Sequence, residues 1–327
     1  MTANDANNAV HGFDRQLEEQ LAETWGQASG LWGFLTAVNH KTIAIRYIIT
    51  AFVFFSLAGI AALIMRVQLA QPELRVISPE LYNQLFTTHG TTMMFLFAIP
   101  IVEAMGMYFV PMMVGARDMA FPRLNAFGYW VYLISGLTVW VALFFGEGPD
   151  AGWFNYVPLS GVEASPGLGI DVWTTAITFM EIAALVAAVE LIVTIFKFRA
   201  VGMSLNRMPV FVWTMLITSF MIIFAMPAVM LASIMLLLDR QVGTGFFTAS
   251  MGGDALLWQH LFWVFGHPEV YIVLLPVLGI VSTIVSAFAQ RGNVAYSLLT
   301  ASLVDIGFLS FGYGFTICSP LGCRGLV

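Results

Sequence analysis

Apolar residues run along this chain in blocks of the length that a bilayer core demands of a helix, about 20 residues. Seven blocks qualify: roughly Ile43 to Met65, Leu85 to Pro111, Phe127 to Phe145, Val172 to Phe196, Val210 to Leu238, Leu256 to Phe288 and Tyr296 to Tyr313, the last of them incomplete. The pattern predicts an all-α, polytopic transmembrane helix bundle of about seven spans. Ahead of it, residues 1–42 form a polar tail carrying Asp5, Asp14, Glu18, Glu19 and Glu23. That tail lacks the basic-then-apolar layout of a cleaved signal peptide, so the first span is expected to be the insertion signal as well.

Composition narrows the class further. Of the 327 residues, 59% are hydrophobic and 10% charged, where a soluble domain carries about a quarter charged residues. With a mean hydropathy of +0.85, the chain cannot be disordered, a nucleic-acid binder or a disulfide-stapled secreted domain. The net charge of -6 belongs to tail and loops, so it implies no anionic partner. Arg15, Lys41, Arg46, Arg117, Arg123, Lys197, Arg199, Arg207 and Arg291 fall on one side of the predicted spans, and Arg66, Arg75 and Arg240 on the other. Basic residues favour the cytoplasmic side, which predicts a cytoplasmic N-terminus and an outward-facing loop from Gly146 to Asp171.

A charged group in hydrocarbon costs at least about 2.5 to 3.5 kcal/mol on insertion scales, so each ionisable residue inside a span calls for a partner or a purpose. They are His89, Glu103, Glu181, Glu190, His267, Glu269 and Asp305, with Arg66 at the outer end of the first span. His89, in FTTHGTTMMFLF, is flanked by small Gly90 and Thr91, which would let a flat group approach the backbone. An axial haem ligand and a histidine bonded to a neighbouring helix are both open on these residues alone. In WQHLFWVFGHPEVY, His267 and Tyr271 are four apart and share a helix face, while Glu269 points to another side. Imidazole suits copper, phenol can supply a proton and an electron, and a carboxyl in an apolar site can carry protons. The alternative is a proline-interrupted helix whose polar groups satisfy one another. In GARDMAFPRLNAFGYW, Asp118 sits on a loop with Asn125 seven residues on. It could collect protons at the mouth of a bundle, or be a surface acid beside Arg117 and Arg123.

These three clusters, in this order and at these separations, resemble subunit I of the haem–copper oxidases, in particular the proton-pumping cytochrome c oxidase branch. The likeness runs from NHKTIAIRY at Asn39 to GFLSFG ending at Gly312, through LIMRVQL, LYNQLFTTHGTTM, GWFNYVPL, RMPVFVWTMLIT and LLLDRQVGTGFF. The family fold has about twelve spans. By this resemblance His89 is an axial ligand of a low-spin haem, Arg66 contacts a haem substituent, and Trp153 lies near the haem propionates. His267 is one of three copper histidines beside a high-spin haem, and Tyr271 is the tyrosine joined to it. Asp118, Asn125 and Glu269 mark a proton route. The implied activity is oxidation of cytochrome c and reduction of dioxygen to water with proton translocation, in a bacterial inner membrane, with oxidase subunits II and III as partners.

The likeness has departures. Met107 stands where the family usually has an asparagine of the proton path, Ala183 and Ala184 where hydroxyl residues are common, and Arg117 where a proline precedes the aspartate. Glu103, Glu181, Glu190 and Asp305 have no counterpart; they are expected to pair with partner subunits or to snorkel. Further metal-ligating histidines of the family lie downstream of this sequence. After Gly312 the chain reads YGFTICSPLGCRGLV, where the family reads approximately VWxHHMFxxGLP. The genetic code permits bases for Gly312 to Val327 that, read from the third base of the Gly312 codon, give VWVHHMFATGLPRLG. One lost base near that codon is therefore expected, with residues 313–327, including Cys318 and Cys323, as an out-of-frame tail. A quinol-fed oxidase would share nearly all these residues, and a metal-free proton-coupled transporter is the alternative from another class.

Overall fold

The computed structural model describes residues 15–21, 26, 30–292 and 295–317. Most of the acidic tail, Cys318 and Cys323 lie outside the described residues, and with them the expectations about the signal and most of the out-of-frame tail. The chain divides into two compact units, Met1–Val38 and Asn39–Val327. The first contains a short helix, Gly30–Thr36.

The second unit holds seven helices long and apolar enough to cross a membrane, and no strand among the described residues. They are α1 His40–Gln68, α2 Pro79–Val114, α3 Pro122–Phe144, α4 Gly169–Lys197, α5 Val210–Val242, α6 Ala255–Ala289 and α7 Tyr296–Ile317. Every apolar block of the sequence is thus a helix. Most helices reach past their blocks because polar caps extend them. Asn39 caps α1 by accepting from the Lys41 amide at 2.9 Å. Ser78 caps α2 ahead of Pro79, and Asp254 caps α6. Gly115 and Gly243 close α2 and α5 at φ 74° and 73°, a left-handed conformation that glycine adopts without a Cβ clash.

Helices adjacent in sequence pack side by side, α3 on α4, α4 on α5, α5 on α6 and α6 on α7, while α1 lies along α2. Burial is uneven. Over its most apolar window α4 is 56% buried, whereas α6 is 22% buried. α4 therefore runs through the interior and α6 along a side.

Within α2 the residues Thr92–Ala98 form a π-helical segment, seen in the Ile99 amide donating to the Met94 carbonyl. Pro100 follows at once. A proline cannot donate to the carbonyl four residues back, and its ring crowds that carbonyl. Here the carbonyl is that of Leu96, which instead accepts from the Tyr132 hydroxyl of α3 at 2.7 Å. The widened turn sits directly after the turn that carries His89, and such segments are frequent at functional sites.

Candidate functional site

His89 is half-buried on α2. Its Nδ1 lies 2.9 Å from the Ala58 carbonyl of α1, so Nδ1 donates and Nε2 keeps its lone pair. That is the tautomer an Nε2 ligand needs. The flanks of this histidine are filled rather than open. A Cβ on Gly90 would come within 2.9 Å of the Trp153 ring, and Thr91 accepts from the Trp173 indole at 2.9 Å. The flat group against Gly90 is thus a tryptophan of this chain.

Trp153 belongs to the 145–168 loop, which the sequence leaves without a positive charge. The structure supplies one from α5. Arg240 pairs with Asp171 through two nitrogens, at 2.8 and 3.2 Å, and donates to the carbonyls of Ser160, Ser165 and Gly167. The loop is tied to α2 by the Gly152 amide donating to Thr87, and to α6 by the Trp258 indole donating to the Phe154 carbonyl. Trp153 then packs edge-on against Phe262 of α6 and Phe95 of α2. Arg66 is exposed in the last turn of α1.

His267 and Tyr271 share a face of α6 as their spacing predicts, and Glu269 lies on the same helix. The His267 and Tyr271 rings are 4.9 Å apart between centroids, and the Tyr313 ring of α7 lies 5.4 Å from His267. His267 Nε2 is buried and has no hydrogen-bond partner. Glu269 is fully buried, with neither carboxyl oxygen bonded. Polar groups that satisfied one another would show bonds here; this cluster does not. A buried donor or acceptor left open costs about 1 to 3 kcal/mol, so its retention points to a ligand or to water.

Asp118 is not an isolated surface acid. Its Oδ1 lies 3.0 Å from His40 Nδ1 and accepts from the backbone amides of His40 and Met119 at 3.2 and 2.8 Å. His40 lies in the stretch that the sequence marks only as polar tail, because a contact across 78 positions leaves no local signal. Asn125, in the first turns of α3, is 1% exposed and its amide is unbonded.

Glu103, Glu181 and Glu190 correct the expectation of snorkelling or partner pairing. They are 3%, 1% and 0% exposed, inside this chain. Asp305 is exposed on α7.

The residues present fit the implied cofactors as single ligands: a tautomer-fixed imidazole for a haem at His89, and an unbonded imidazole for copper at His267. Among the described residues no cluster of three His, Cys, Asp or Glu side chains could hold a metal.

The sequence pattern of the family described as cytochrome c and quinol oxidase polypeptide I matches residues 42–315. Cytochrome c oxidase subunit 1 of Bacillus subtilis is 42% identical over 291 residues, 89% of this chain and 46% of that protein. The protein of the same name from Alkalihalophilus pseudofirmus is 44% identical over 285 residues, 87% of this chain and 45% of its own length. That of Corynebacterium glutamicum is 40% identical over 301 residues, 91% and 51%. This chain spans about half the length of these relatives.

Proposed function

The chain belongs to the cytochrome c and quinol oxidase subunit I family, and from that premise we propose that it serves in the catalytic subunit of a bacterial terminal respiratory oxidase. The reaction is oxidation of cytochrome c and reduction of dioxygen to water, coupled to proton translocation. The family description covers quinol as well as cytochrome c, and the names of the similar proteins favour cytochrome c. The observation that carries the reading is the open Nε2 of His267 with the Tyr271 ring against it, on the helix that also buries the unbonded Glu269.

His89 would hold a low-spin haem through Nε2, with Ala58 fixing its tautomer and the 145–168 loop closing over it through Trp153. Arg66, at the end of α1, would neutralise a haem substituent. His267 would be one ligand of the copper, and Tyr271, its ring 4.9 Å from that of His267, would keep its phenol beside the ligand. When bound, these groups supply the electron transfer and the oxygen chemistry. The protein's own part is to hold them in a water-poor interior and to deliver protons. Asp118 would take a proton from the cytoplasm, its carboxylate held ready by His40. Asn125 would orient water just inside the mouth, and Glu269 would hold the proton deep in the membrane. Ligands beyond those described here, and subunits II and III, would complete the sites.

Expressed with its partner subunits and purified in detergent, the protein is expected to show haem absorption, to contain copper, and to consume oxygen when given reduced cytochrome c. Oxygen consumption with a quinol and none with cytochrome c would replace the donor. A protein without iron and copper would overturn the reading.

A further inference from the structure

The interior of the bundle contains more buried acid than the site above uses. Glu190 and Glu181 lie nine residues apart on α4, half a turn out of phase, yet both are buried, because α4 packs against α3 on one side and α2 and α5 on others. All four of their carboxyl oxygens, and Oε1 of Glu103 on α2, are unbonded. The Tyr47 hydroxyl of α1 is buried and unbonded as well. Unpartnered acids in a dry interior are costly, so three within one bundle, with an open phenol among them, call for a ligand. Water and the proton it carries are the ligands whose chemistry matches isolated carboxyls and phenols.

Depth orders these groups. At 1.5 Å per residue, Glu190 lies about 10 Å along α4 from its end at Lys197, and Glu181 about 24 Å. By the same rise Glu103 lies about 16 Å along α2 from its end at Val114. Glu190 lies within electrostatic reach of Asp118 and faces the backbone N–H of Asn125, a donor within reach of its carboxyl. Tyr47 is within reach of both Glu190 and Glu103. Glu103, Glu181, Tyr47 and Tyr132 line one cavity with Ala183 and Ala184. It leaves about 10 Å³ for the centres of water molecules, about the minimum for one water. Small side chains at 183 and 184 keep that space open. Other ionisable neighbours are Tyr129, with Arg46 over its ring, Tyr132, whose hydroxyl is already engaged, and Glu269, within reach of Glu181.

We propose that Glu190, Glu103 and Glu181, with the Tyr47 hydroxyl between them, form a carboxyl line that carries protons through the bundle from Asp118 and Asn125 to the cavity of Glu103 and Glu181. Each transfer moves a proton from a carboxyl to water and from water to the next carboxylate. One proton enters at the Asp118 end for each that leaves at Glu181, and no electron moves. The line occupies the stretch in which Met107, Ala183 and Ala184 offer no polar group. It rests on the oxidase reading for its purpose, not for its existence.

Two measurements on the intact, assembled protein test it. Infrared spectra should show carboxyl C=O bands that disappear one by one in Glu103→Gln, Glu181→Gln and Glu190→Gln and shift together when water is exchanged for D₂O, with Asp118→Asn slowing all three. Bands that fail to shift, or that exchange independently of Asp118, would overturn the line whatever the enzyme does. A positioned proton-transfer group contributes about a hundredfold or more, so each Gln variant should lower oxygen turnover at least about tenfold with haem absorption unchanged. Glu181→Asp should restore part of it. Unaltered turnover in all three Gln variants would overturn the proposal. An unmodified protein without haem or oxygen consumption would overturn the oxidase reading alone, and the infrared exchange would still decide the line.

Discussion

Two regions of this bundle handle polar groups in opposite ways. In the interior the carboxyls of Glu103, Glu181 and Glu190 are buried by the chain itself. Around His267, α6 and α7 turn much of their surface outward: Val270, Leu274 and Phe308 are 48%, 43% and 79% exposed, and His267 is only half-buried. The first region keeps its carboxyls in a closed interior. The second presents an imidazole and a phenol at the side of the bundle, where ligands from further elements can reach them. On the two proposals above, proton transfer falls to the enclosed region and metal binding to the open one.

If the loop clamp holds α6 against the closed region, removing it should cost the most. Arg240→Ala leaves Asp171 unpaired in a site where the two side chains are 3% and 14% exposed, and should destabilise the protein by about 3 to 5 kcal/mol. Thermal unfolding in detergent measures it; a loss below about 1 kcal/mol would mean that the pair behaves as a surface contact and that the border stands without it. Inside the closed region the sign reverses. Glu181→Met replaces an unbonded acid by an apolar side chain and should stabilise the fold by about 1 to 3 kcal/mol while impairing turnover. Destabilisation by that variant would show that Glu181 has a bonding partner and would erase the contrast. On the outward face of α7, Asp305→Asn should leave oxygen turnover unaltered; a loss of turnover would give that face a role the comparison denies it.

The spans and the α6 cluster were legible because hydropathy and helical spacing are local, and because an ionisable residue stands out in an apolar run. His267, Glu269 and Tyr271 needed nothing beyond their own positions. What stayed hidden depends on distant neighbours. The His40 and Asp118 pair, the Arg240 clamp and the Tyr132 hydroxyl on the Leu96 carbonyl join residues 36 to 78 positions apart. Pro100 signals trouble for its helix, yet not whether a kink or a π segment absorbs it. Glu181 and Glu190 misled because opposite phases on one helix suggest that one of them faces outward, a rule that fails for a helix packed all round. Resemblance alone puts Trp153 near haem propionates, while its seat on Gly90 follows from the loop.

The account depends most on His89 and His267 each gripping a different cofactor. Haem and copper should be quantified in the assembled protein and in its His89→Ala and His267→Ala variants, with membrane insertion confirmed for each. The account predicts loss of the low-spin haem with copper retained in the first, and loss of copper with the low-spin haem retained in the second. Full haem and copper content in both variants would contradict it.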